Sequence, residues 1–549
     1  MEQFKLKGES GIIRVRFICI GFLIGVMSVC TAERIALAAA KGQLARGLFD
    51  VRDYGAAGDG VKLDTKAIQA AIDACAQAGG GKVYLSNGTF LSGGVKLKNN
   101  VGLYVEGGAV LLASRSKDDY THRSLIYAEN VENISVAGRG TIDGHGAVSK
   151  EFPKVRNHPV HFVQCKNVKI QDITLRNSTT WIQHYFKCDN LVIDGITVES
   201  RINPDIEKPR YASAPGRNED GLNINSCQQV RVSNCVINSD DDGIVLKSTS
   251  ERPCRNITIT NCIVSSNASA IKFGTESGGG FQNITVSNCT IYDTRNSGIA
   301  LLIVDGGTLD RVNISNITMR NVKGSAIFIR LGNRGRLYDR RKKPGVGKVR
   351  NITISNVQAS EVGGRIEPVG KRVVGCHITG LPGFPIEDVT LSNIRIRFKG
   401  GGTAEDALRE IPERPEAYPS CRMYGTLPAY GFYVRHAERV EFHHLDLGFE
   451  KTELRPAMVF NDVKDLEIFD FDAESTASTN ALIWLKQVRG AFIHGCSPRN
   501  PVTTFVRVDG NESDDITLMN NNMSRVKRIL ERGKQTKENA IYLDNNRTR

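Results

Sequence analysis

Three aspartates in two short segments of this chain are residues that could carry acid–base chemistry. Asp220 lies in NEDGLNIN, while Asp241 and Asp242 lie in DDDGIVLK. Aligning the segments on Gly221 and Gly243 places Asp220 and Asp242 at the same position, directly before an alternating apolar stretch. Hydrolysis of a glycosidic bond needs one carboxylic acid that protonates the leaving oxygen and one carboxylate that activates water or attacks the sugar. Crowded like charges raise the pKa of one carboxyl group, so the cluster can supply both protonation states.

The same alignment continues through NASAIKFG, RNSGIALL and KGSAIFIR, with anchor residues 22, 27, 28 and 28 positions apart. An isolated Asp-Asp-Asp run is often only a polar turn, but the recurrence of Asp220 in the same column favours a catalytic site. Residues two and four after each anchor share the outward face of a strand. The candidate substrate-binding residues on or beside this face are Asn218, Lys247, Ser269, Lys272, Glu276 and Arg330.

A repeated phrase, Asn-apolar-x-apolar-x-Asn, predicts the elements that position these residues. It occurs as NITITN from Asn256, NITVSN from Asn283 and NITISN from Asn351, with looser copies along most of the chain. Alternating short apolar residues indicate strands with one buried face, and a period in the twenties fits a solenoid coil of three strands. Parallel crossovers are right-handed almost without exception. The sequence therefore predicts an all-β fold, a right-handed parallel β-helix whose coils build three sheets.

Three further features fit such a solenoid. Asp64 begins an amphipathic segment that is predicted to be an N-capped helix closing the first coils. Cys235, Cys262 and Cys289 recur every 27 residues, which favours a buried ladder of free thiols over disulfides between coils. Sites such as Asn256 look like glycosylation sequons, but they coincide with the repeat, so an asparagine ladder is the preferred interpretation.

The N-terminus has the order of a secretory signal peptide. Basic residues precede an apolar run from Phe17 to Val29, and small residues follow. The run is shorter than the ~20 residues that a membrane span needs. We therefore predict a signal peptide at 1–38, a secreted protein without a membrane anchor, and one β-helical catalytic domain at 48–545. The net charge of +13 and the pI near 9.1 favour an extracellular anionic polymer over nucleic acid as the partner.

The opening FDVRDYGAAGDG, the capping segment and GGGKVYLSNGTFLSGGVKL are similar to the start of many pectin-degrading β-helices. Asn218-Glu219-Asp220 and Asp241-Asp242 match the acidic motifs of the polygalacturonase-like glycoside hydrolases of family 28, and the resemblance covers nearly all of the chain after the signal peptide. It implies that Asp241 is the general acid and that Asp220 and Asp242 position and deprotonate water. It also implies inversion of the anomeric configuration, for which the acid-to-base gap is ~6.5–9.5 Å, and a pectic or other acidic polysaccharide as substrate.

Two motifs of that family are replaced in this chain. Ala268-Ser269-Ala270 stands where the family usually has Gly-His-Gly, and Ala300-Leu301-Leu302 stands where Arg-Ile-Lys holds a galacturonate carboxylate. A site without this clamp is expected to act on a complex pectin structure rather than on plain polygalacturonate. Lys247, Lys272 and Arg330 are the cations that could replace the clamp from other coils.

The long interval between the phrases at Asn351 and Arg439 indicates inserted loops. Within it, Tyr424, Tyr430 and Tyr433 either line a sugar-binding cleft or pack inside the loops.

Two other functions remain open on sequence alone. In a β-helical polysaccharide lyase, the acidic cluster would bind Ca²⁺ and Lys247 or Lys272 would abstract a proton. In a non-catalytic carbohydrate-binding β-helix, the replaced motifs would reflect lost activity, although retention of all three aspartates argues against this. For the hydrolase we expect a monomer that requires no cofactor or metal.

Overall fold

The computed structural model describes residues 47–146, 157–201, 218–339, 342–364 and 373–548. The predicted signal peptide at 1–38 lies outside these residues. Helices are few in the described chain: one of 13 residues at Thr65–Gln77, a short one at Ala404–Ala407, and 3₁₀ helices at Val51–Tyr54, Lys117–Asp119 and Glu538–Ala540. No helix in these ranges is both long enough and apolar enough to span a membrane.

Strands make up most of the regular structure, and they pair in parallel. In chain order they are β1 (Leu48–Asp50), β2 (Asp59–Leu63), β3 (Gly81–Leu85), β4 (Gly88–Ser92), β5 (Val95–Lys96), β6 (Val101–Val105), β7 (Ala109–Ala113), β8 (Ser124–Glu129), β9 (Glu132–Gly138), β10 (Thr141–Asp143), β11 (His158–Val163), β12 (Lys166–Gln171), β13 (Thr174–Arg176), β14 (Gln183–Phe186), β15 (Asp189–Asp194), β16 (Thr197–Glu199), β17 (Leu222–Asn225), β18 (Gln228–Ser233), β19 (Val236–Ser239), β20 (Ile244–Ser248), β21 (Cys254–Thr260), β22 (Ile263–Ser266), β23 (Ile271–Ser277), β24 (Gly280–Thr294), β25 (Ile299–Ile303), β26 (Thr308–Val322), β27 (Ile327–Leu331), β28 (Lys348–Val362), β29 (Cys376–Thr379), β30 (Ile386–Gly400), β31 (Phe432–Lys451), β32 (Met458–Ala473), β33 (Ile483–His494), β34 (Val502–Asp509), β35 (Asp514–Met519), β36 (Val526–Arg532) and β37 (Ile541–Asp544).

The pairing of these strands defines a solenoid. Before the strands lengthen, each strand pairs with the third strand after it: β8 with β11, β11 with β14, β14 with β17 and β17 with β20. One coil therefore contributes one strand to each of three sides. From Gly280 onward, adjoining sides run together in strands of 15 residues, β24, β26, β28 and β30. The predicted parallel β-helix with three strands per coil is confirmed.

The asparagine phrase marks a corner of the coil. Its first residue adopts a left-handed backbone in every copy, with φ of 56° at Asn256, 56° at Asn283 and 55° at Asn351. Asparagine tolerates this conformation better than most non-glycine residues, which explains why the phrase begins with it. The Asn283 amide donates to Asn256 Oδ1 on the preceding coil at 2.9 Å. The predicted asparagine ladder is therefore present.

The interior of the solenoid is apolar. Cys235, Cys262 and Cys289 lie within it, each at most 2% exposed, and all three are free thiols. The predicted ladder of buried thiols is confirmed. As small apolar side chains, they fill space between the branched residues of the strands.

The helix Thr65–Gln77 packs its apolar face, which includes the fully buried Ile68, against the first coils. Asp64 stands at its N-terminus, but its carboxylate accepts from the backbone N–H groups of Ala57 and Gly58, at 2.8 and 2.9 Å, and makes no capping bond to the helix. The predicted helix is present, whereas its predicted side-chain cap is wrong. The carboxylate fastens the preceding turn instead.

Residues 401–431, between β30 and β31, form a covering loop over one side of the solenoid. A buried ion pair anchors it: Arg455 Nη2 lies 2.8 Å from Glu453 Oε2, with side chains 1% and 0% exposed. Arg455 also donates to the carbonyls of Leu427 and Ala429, and Glu453 accepts from the N–H of Gly402. Both ends of the loop are thus held by charged groups that lie beneath it.

Candidate active site

The three aspartates are positioned by β17 and β20, whose register matches the alignment made from the sequence. Leu222 pairs with Ile244, and Ile244 pairs with Ile271 on the next coil. Asp220 and Asp242 therefore precede equivalent strands on neighbouring coils. The predicted column is confirmed, and its cause is the constant register of a parallel sheet.

A cavity of about 400 Å³ lies over this column and beside the covering loop. Besides Asp220, Asp241 and Asp242, its lining residues are Trp181, Asn218, Lys247, Ala268, Ser269, Lys272, Thr275, Glu276, Asn296, Ser297, Ala300, Leu302, Phe328, Tyr418, Pro419, Ser420 and Cys421. A larger groove of about 1040 Å³ runs along the sheet that carries the asparagine phrase, and none of these three aspartates lines it. The smaller cavity is therefore the candidate active site, because it contains the carboxyl groups.

The three carboxyl groups are close together. One oxygen from each lies within 4.8 Å of one from each of the others, and the residues are between 2% and 6% exposed. These nearest-oxygen distances are shorter than the ~6.5–9.5 Å gap expected of an inverting pair. At such separations the three groups cannot all ionise without strong repulsion.

Asp220 is the carboxyl group of the cluster whose pKa is raised. Burial raises the pKa of Asp220 to about 8, and the charges of Asp241 and Asp242 act in the same direction. The Lys247 ammonium, 3.4 Å from Asp220 Oδ2, opposes the rise without cancelling it. Burial and the neighbouring charges therefore favour the protonated form of Asp220 at neutral pH.

Asp242, in contrast, stays ionised. Burial acts to raise its pKa, but the charges of Lys272 and Lys247 outweigh burial and lower the pKa of Asp242. Lys272 Nζ donates to Asp242 Oδ2 at 2.7 Å, and the backbone N–H of Ser269 donates to Oδ1 at 2.9 Å. Charge-assisted hydrogen bonds of this kind stabilise the carboxylate form. The cavity thus holds a neutral and a charged carboxyl group side by side.

Asn218 forms a hydrogen bond that orients the carboxyl group of Asp241. With the Asn218 amide oriented to satisfy both of its neighbours, the nitrogen donates to Asp241 Oδ2 and the oxygen accepts from Trp181 Nε1 at 2.6 Å. Asn218, named from the sequence as a substrate-binding residue, therefore orients a carboxyl group as well as lining the cavity.

Trp181 is a site residue that the sequence reasoning missed. His184 pairs in register with Asn223, which places Trp181 at the position of Asp220 one coil earlier. Its indole ring lies 4.7 Å from the Lys247 ammonium, within the range of a cation–π contact. Trp181 stands in the same column as Asp220, but the 39 positions between them interrupt the repeat, so spacing alone does not reveal it.

Glu276, whose role the sequence left open, pairs with Lys247 at 3.1 Å. Burial opposes its ionisation, but Lys247, Lys272 and Arg334 lower the pKa of Glu276 to about 2. Arg336 adds a hydrogen bond to its second oxygen at 3.1 Å. Glu276 is therefore a permanent anion that holds the Lys247 ammonium between itself and Asp220.

The prediction that Arg330 binds substrate is not supported by its position. Its side chain faces outward on the strand, as the alignment implied, and pairs in register with Leu302. It is 1% exposed, however, and donates to the carbonyls of Gly380, Glu413 and Arg414 at 3.1, 3.0 and 3.2 Å. The covering loop folds over this arginine and uses its donors, so Arg330 does not line the cavity.

The three tyrosines named from the sequence pack inside the protein. Tyr424, Tyr430 and Tyr433 are 4%, 1% and 2% exposed and none lines the cavity, so the loop-packing interpretation is correct. Tyr418 lines the cavity instead. Its hydroxyl accepts from Thr275 Oγ1 at 3.1 Å and lies 3.5 Å from Lys272 Nζ.

An apolar wall includes two of the positions at which the related family carries its cationic clamp. Ala300, Leu302 and Phe328 line the cavity, and each is 1% exposed. Among the lining residues that the structure describes, the cations are Lys247 and Lys272, and both are already paired with carboxylates. The cavity therefore has two positive charges, and each already forms an ion pair with a carboxylate of the protein in the absence of substrate.

The acidic cluster suits acid–base chemistry better than a divalent cation. Its oxygens are close enough to meet at one ion, but Lys247 and Lys272 lie against Asp220 and Asp242. A Ca²⁺ ion there would meet two ammonium groups, and their repulsion opposes its binding. A proton donor, an ionised carboxylate and their orienting partners are the parts that hydrolysis requires.

Comparison with known proteins agrees with this geometry. The family model described as glycosyl hydrolases family 28 matches residues 75–417. A probable polygalacturonase of Vitis vinifera is 30% identical over 224 residues, covering 36% of this chain and 43% of that protein. An exopolygalacturonase of Zea mays is 28% identical over 214 residues, covering 36% and 48%. The chain thus spans less than half the length of these relatives.

The fold has counterparts among solved structures. A hyperthermoactive exopolygalacturonase from Thermotoga maritima superposes with a TM-score of 0.56 and 19% identity, over 73% of this chain and 91% of that one. A family 28 exopolygalacturonase from Yersinia enterocolitica has a TM-score of 0.51 and 19% identity, over 81% and 78%. At these identities the likeness concerns the fold.

Proposed function

Because the chain belongs to the glycosyl hydrolases family 28, we propose that it is a glycosidase that hydrolyses O-glycosidic bonds in a pectic polysaccharide. The observation that carries the proposal is the cluster of Asp220, Asp241 and Asp242, in which one carboxyl group is neutral while a neighbour is charged. Hydrolysis of a glycoside requires both states at the same time.

In the proposed mechanism, Asp241 protonates the leaving oxygen. Asp220 and Asp241 share one proton, because burial and mutual repulsion disfavour two charges there, and the proton reaches the substrate through Asp241. Asp242, ionised by its contact with Lys272, accepts a proton from the attacking water, which Asp220 positions. Proton NMR of the first product tests the stereochemistry: an inverted anomer supports this scheme, and a retained anomer means that a carboxylate attacks the sugar directly.

We further propose that the substrate is a complex pectin structure rather than plain polygalacturonate. A galacturonate carboxylate needs a free cation or several donors, and both lysines of the cavity are engaged by Asp242 and Glu276. The wall of Ala300, Leu302 and Phe328 suits an uncharged or partly apolar sugar face.

The experiment that decides the function is a screen of pectic oligosaccharides, with linkage analysis of the products. We expect faster cleavage of a branched or mixed-sugar fragment than of polygalacturonate, and no cleavage by Asp241→Asn. Polygalacturonate as the best substrate would reject the finer proposal alone. Equal turnover by Asp241→Asn would reject the mechanism, and absence of turnover on every substrate would favour a binding-only β-helix.

A lyase is the second candidate, since lysines lie beside acidic groups. A lyase base must be unprotonated, but Glu276 and Asp220 outweigh burial and raise the pKa of Lys247, and Asp242 does the same for Lys272. Both lysines therefore stay protonated, which supports hydrolysis. An unsaturated, ultraviolet-absorbing product that is lost on addition of a chelator would reverse this preference.

We also propose that the protein is exported, because a pectic polysaccharide substrate lies outside the cell. This proposal rests on the charged, apolar and small-residue order within 1–38. N-terminal sequencing of protein from the periplasm or medium is expected to show a start soon after Ala38, and gel filtration is expected to give a monomer. An unprocessed N-terminus in the cytoplasmic fraction would contradict export.

A further inference from the structure

Three histidines lie together on the strands that precede the aspartates along the solenoid. His158 and His161 belong to β11, and His184 belongs to β14 on the next coil, where it pairs in register with His161. One ring nitrogen of each lies within 4.8 Å of one from each of the others. All three residues are partly exposed.

The contacts of two rings indicate which nitrogen carries a lone pair. His158 Nδ1 lies 2.8 Å from the carbonyl oxygen of Trp181, so Nδ1 carries the proton and Nε2 the lone pair. The Asn225 amide oxygen accepts from the N–H of Thr249 at 3.0 Å, which turns the amide nitrogen toward His184 Nε2 at 3.2 Å. His184 Nε2 therefore accepts this hydrogen bond and carries a lone pair as well.

His161 lies between the other two. Its ring is stacked on that of His184, with centroids 4.7 Å apart and planes 11° apart, and its centroid lies 5.2 Å from that of His158. No hydrogen bond from its ring nitrogens to the described chain is formed. The three histidines thus bring one ring nitrogen each to within 4.8 Å of the others, and His161 makes no hydrogen bond to the described chain that would compete for it.

We propose that His158, His161 and His184 bind one divalent transition-metal ion, such as Zn²⁺ or Cu²⁺. Neutral imidazole is the preferred protein ligand for these ions, and three histidines with water in the fourth position form a complete tetrahedral set for Zn²⁺. The carbonyl of Trp181 supplies the hydrogen bond that orients a ligating imidazole. The ion replaces Asn225 at His184 Nε2 and draws the nitrogens together through rotation of partly exposed side chains.

The three histidines share no residue with the acidic cluster, and their chemistry is different. Mg²⁺ and Ca²⁺ prefer oxygen ligands, so we expect that they do not bind to the three imidazoles. The inference does not depend on hydrolysis, and its failure would leave the proposed function untouched.

Trp181 provides a direct readout, because its ring centroid lies 5.1 Å from that of His184 and 5.9 Å from that of His158. The chain has two tryptophans, and Trp484 lies on the distant strand β33. In the Trp484→Phe variant of the full chain, fluorescence reports on Trp181 alone. We expect CuCl₂ to quench it saturably at one ion per chain, ZnCl₂ to compete, and MgCl₂ and CaCl₂ to have no effect.

Calorimetric titration of tag-free protein with ZnCl₂ gives the affinity. We expect His161→Ala to weaken Zn²⁺ binding by at least about tenfold, the smallest loss that changing even a ligand's supporting group produces. His158→Gln provides a second removal should the first variant fail to fold. His444→Ala is the matched control, since His444 pairs with Asp470 on another side of the coil, and its affinity should be unchanged.

Three results would overturn the inference. The first is no saturable binding of either ion, and the second is unchanged affinity in folded His161→Ala and His158→Gln. The third is binding that survives those changes but is lost in Asp241→Asn, which would assign the ion to the acidic cluster.

Discussion

Lys272 Nζ lies 2.7 Å from Asp242 Oδ2, and the two side chains are 8% and 7% exposed. They come from neighbouring coils, so the register of β20 and β23 creates the pair. Asp220 has no comparable contact, because Lys247 is 3.4 Å away and is shared with Glu276. This difference in pairing separates the protonation states of two aspartates that occupy equivalent positions on adjacent coils.

Lys272→Met should therefore shift the pH dependence of hydrolysis. Without the ammonium, the pKa of Asp242 rises, so the acidic limb of the kcat/KM profile moves to higher pH. A shift of one pKa unit lowers activity on that limb about tenfold, with recovery as the pH increases. Lys343→Met, at an exposed pair with Glu416, should leave the profile unchanged. An equal loss at all pH values would show that Lys272 does not act through Asp242.

Asp241→Asn should lower kcat by about 10²–10⁴-fold, the usual contribution of a general acid, with little change in KM. Asp240→Asn is the matched control, because Asp240 belongs to the same run but accepts from Asn267 at 2.8 Å and does not line the cavity. Initial rates on the best pectic fragment provide the measurement. Comparable losses in both variants would point to distortion of the turn rather than to lost acid catalysis.

Asp220→Asn should make the protein more stable while it reduces turnover. The carboxyl group has an ordinary pKa of 3.8 when unfolded and a pKa of about 8 when folded. Between these values unfolding releases a proton, so the wild-type protein loses stability as the pH rises. The variant should melt about 1–3 °C higher at pH 7, with an advantage that is small at pH 4 and levels off above about pH 8. A lower melting temperature across that range would contradict the raised pKa.

Arg455→Met should loosen the covering loop. Removing one partner of a buried ion pair costs about 3–5 kcal/mol, because the other charge stays buried alone, and here Glu453 is 0% exposed. We expect a lower melting temperature and faster proteolysis within residues 401–431. Arg439→Met, at a pair with Asp388 that is 45% exposed on the arginine side, should cost about 0–1 kcal/mol. Equal effects in the two variants would refute the anchoring role.

Ala300→Lys should favour uronate substrates. Ala300 pairs in register with Lys272 and lines the cavity, so a new ammonium there could bind a sugar carboxylate. A hydrogen bond to a charged group contributes about 1.5–3 kcal/mol, so the ratio of kcat/KM for polygalacturonate to that for a neutral-sugar fragment should rise at least about tenfold. Ala300→Met extends the side chain without charge and should not raise it. An unchanged ratio in Ala300→Lys would show that this apolar wall does not determine which substrate is preferred.

The fold and the aspartate column were predictable because a solenoid turns sequence spacing into spatial adjacency. Residues 22 to 28 positions apart lie on neighbouring coils, so aligning two segments amounts to stacking two strands. The same reasoning failed for Trp181, which is 39 positions before Asp220 although it lies one coil away. The extra residues between β16 and β17 interrupt the period, and an interrupted period cannot be aligned by counting.

By itself, the sequence determined the coil, the asparagine corners, the thiol ladder and the stacking of Asp220 beneath Asp242, all of which follow from local periodicity. Only the tertiary structure decided how the charges are shared: Lys272 joins Asp242, Lys247 joins Glu276, and Arg330 is taken by carbonyls of the covering loop more than 80 positions away. The physical reason is that a nonperiodic loop is placed by packing and buried hydrogen bonds, which no spacing rule encodes. The three aspartates were visible in the chain, whereas their protonation states depend on partners that the fold supplies.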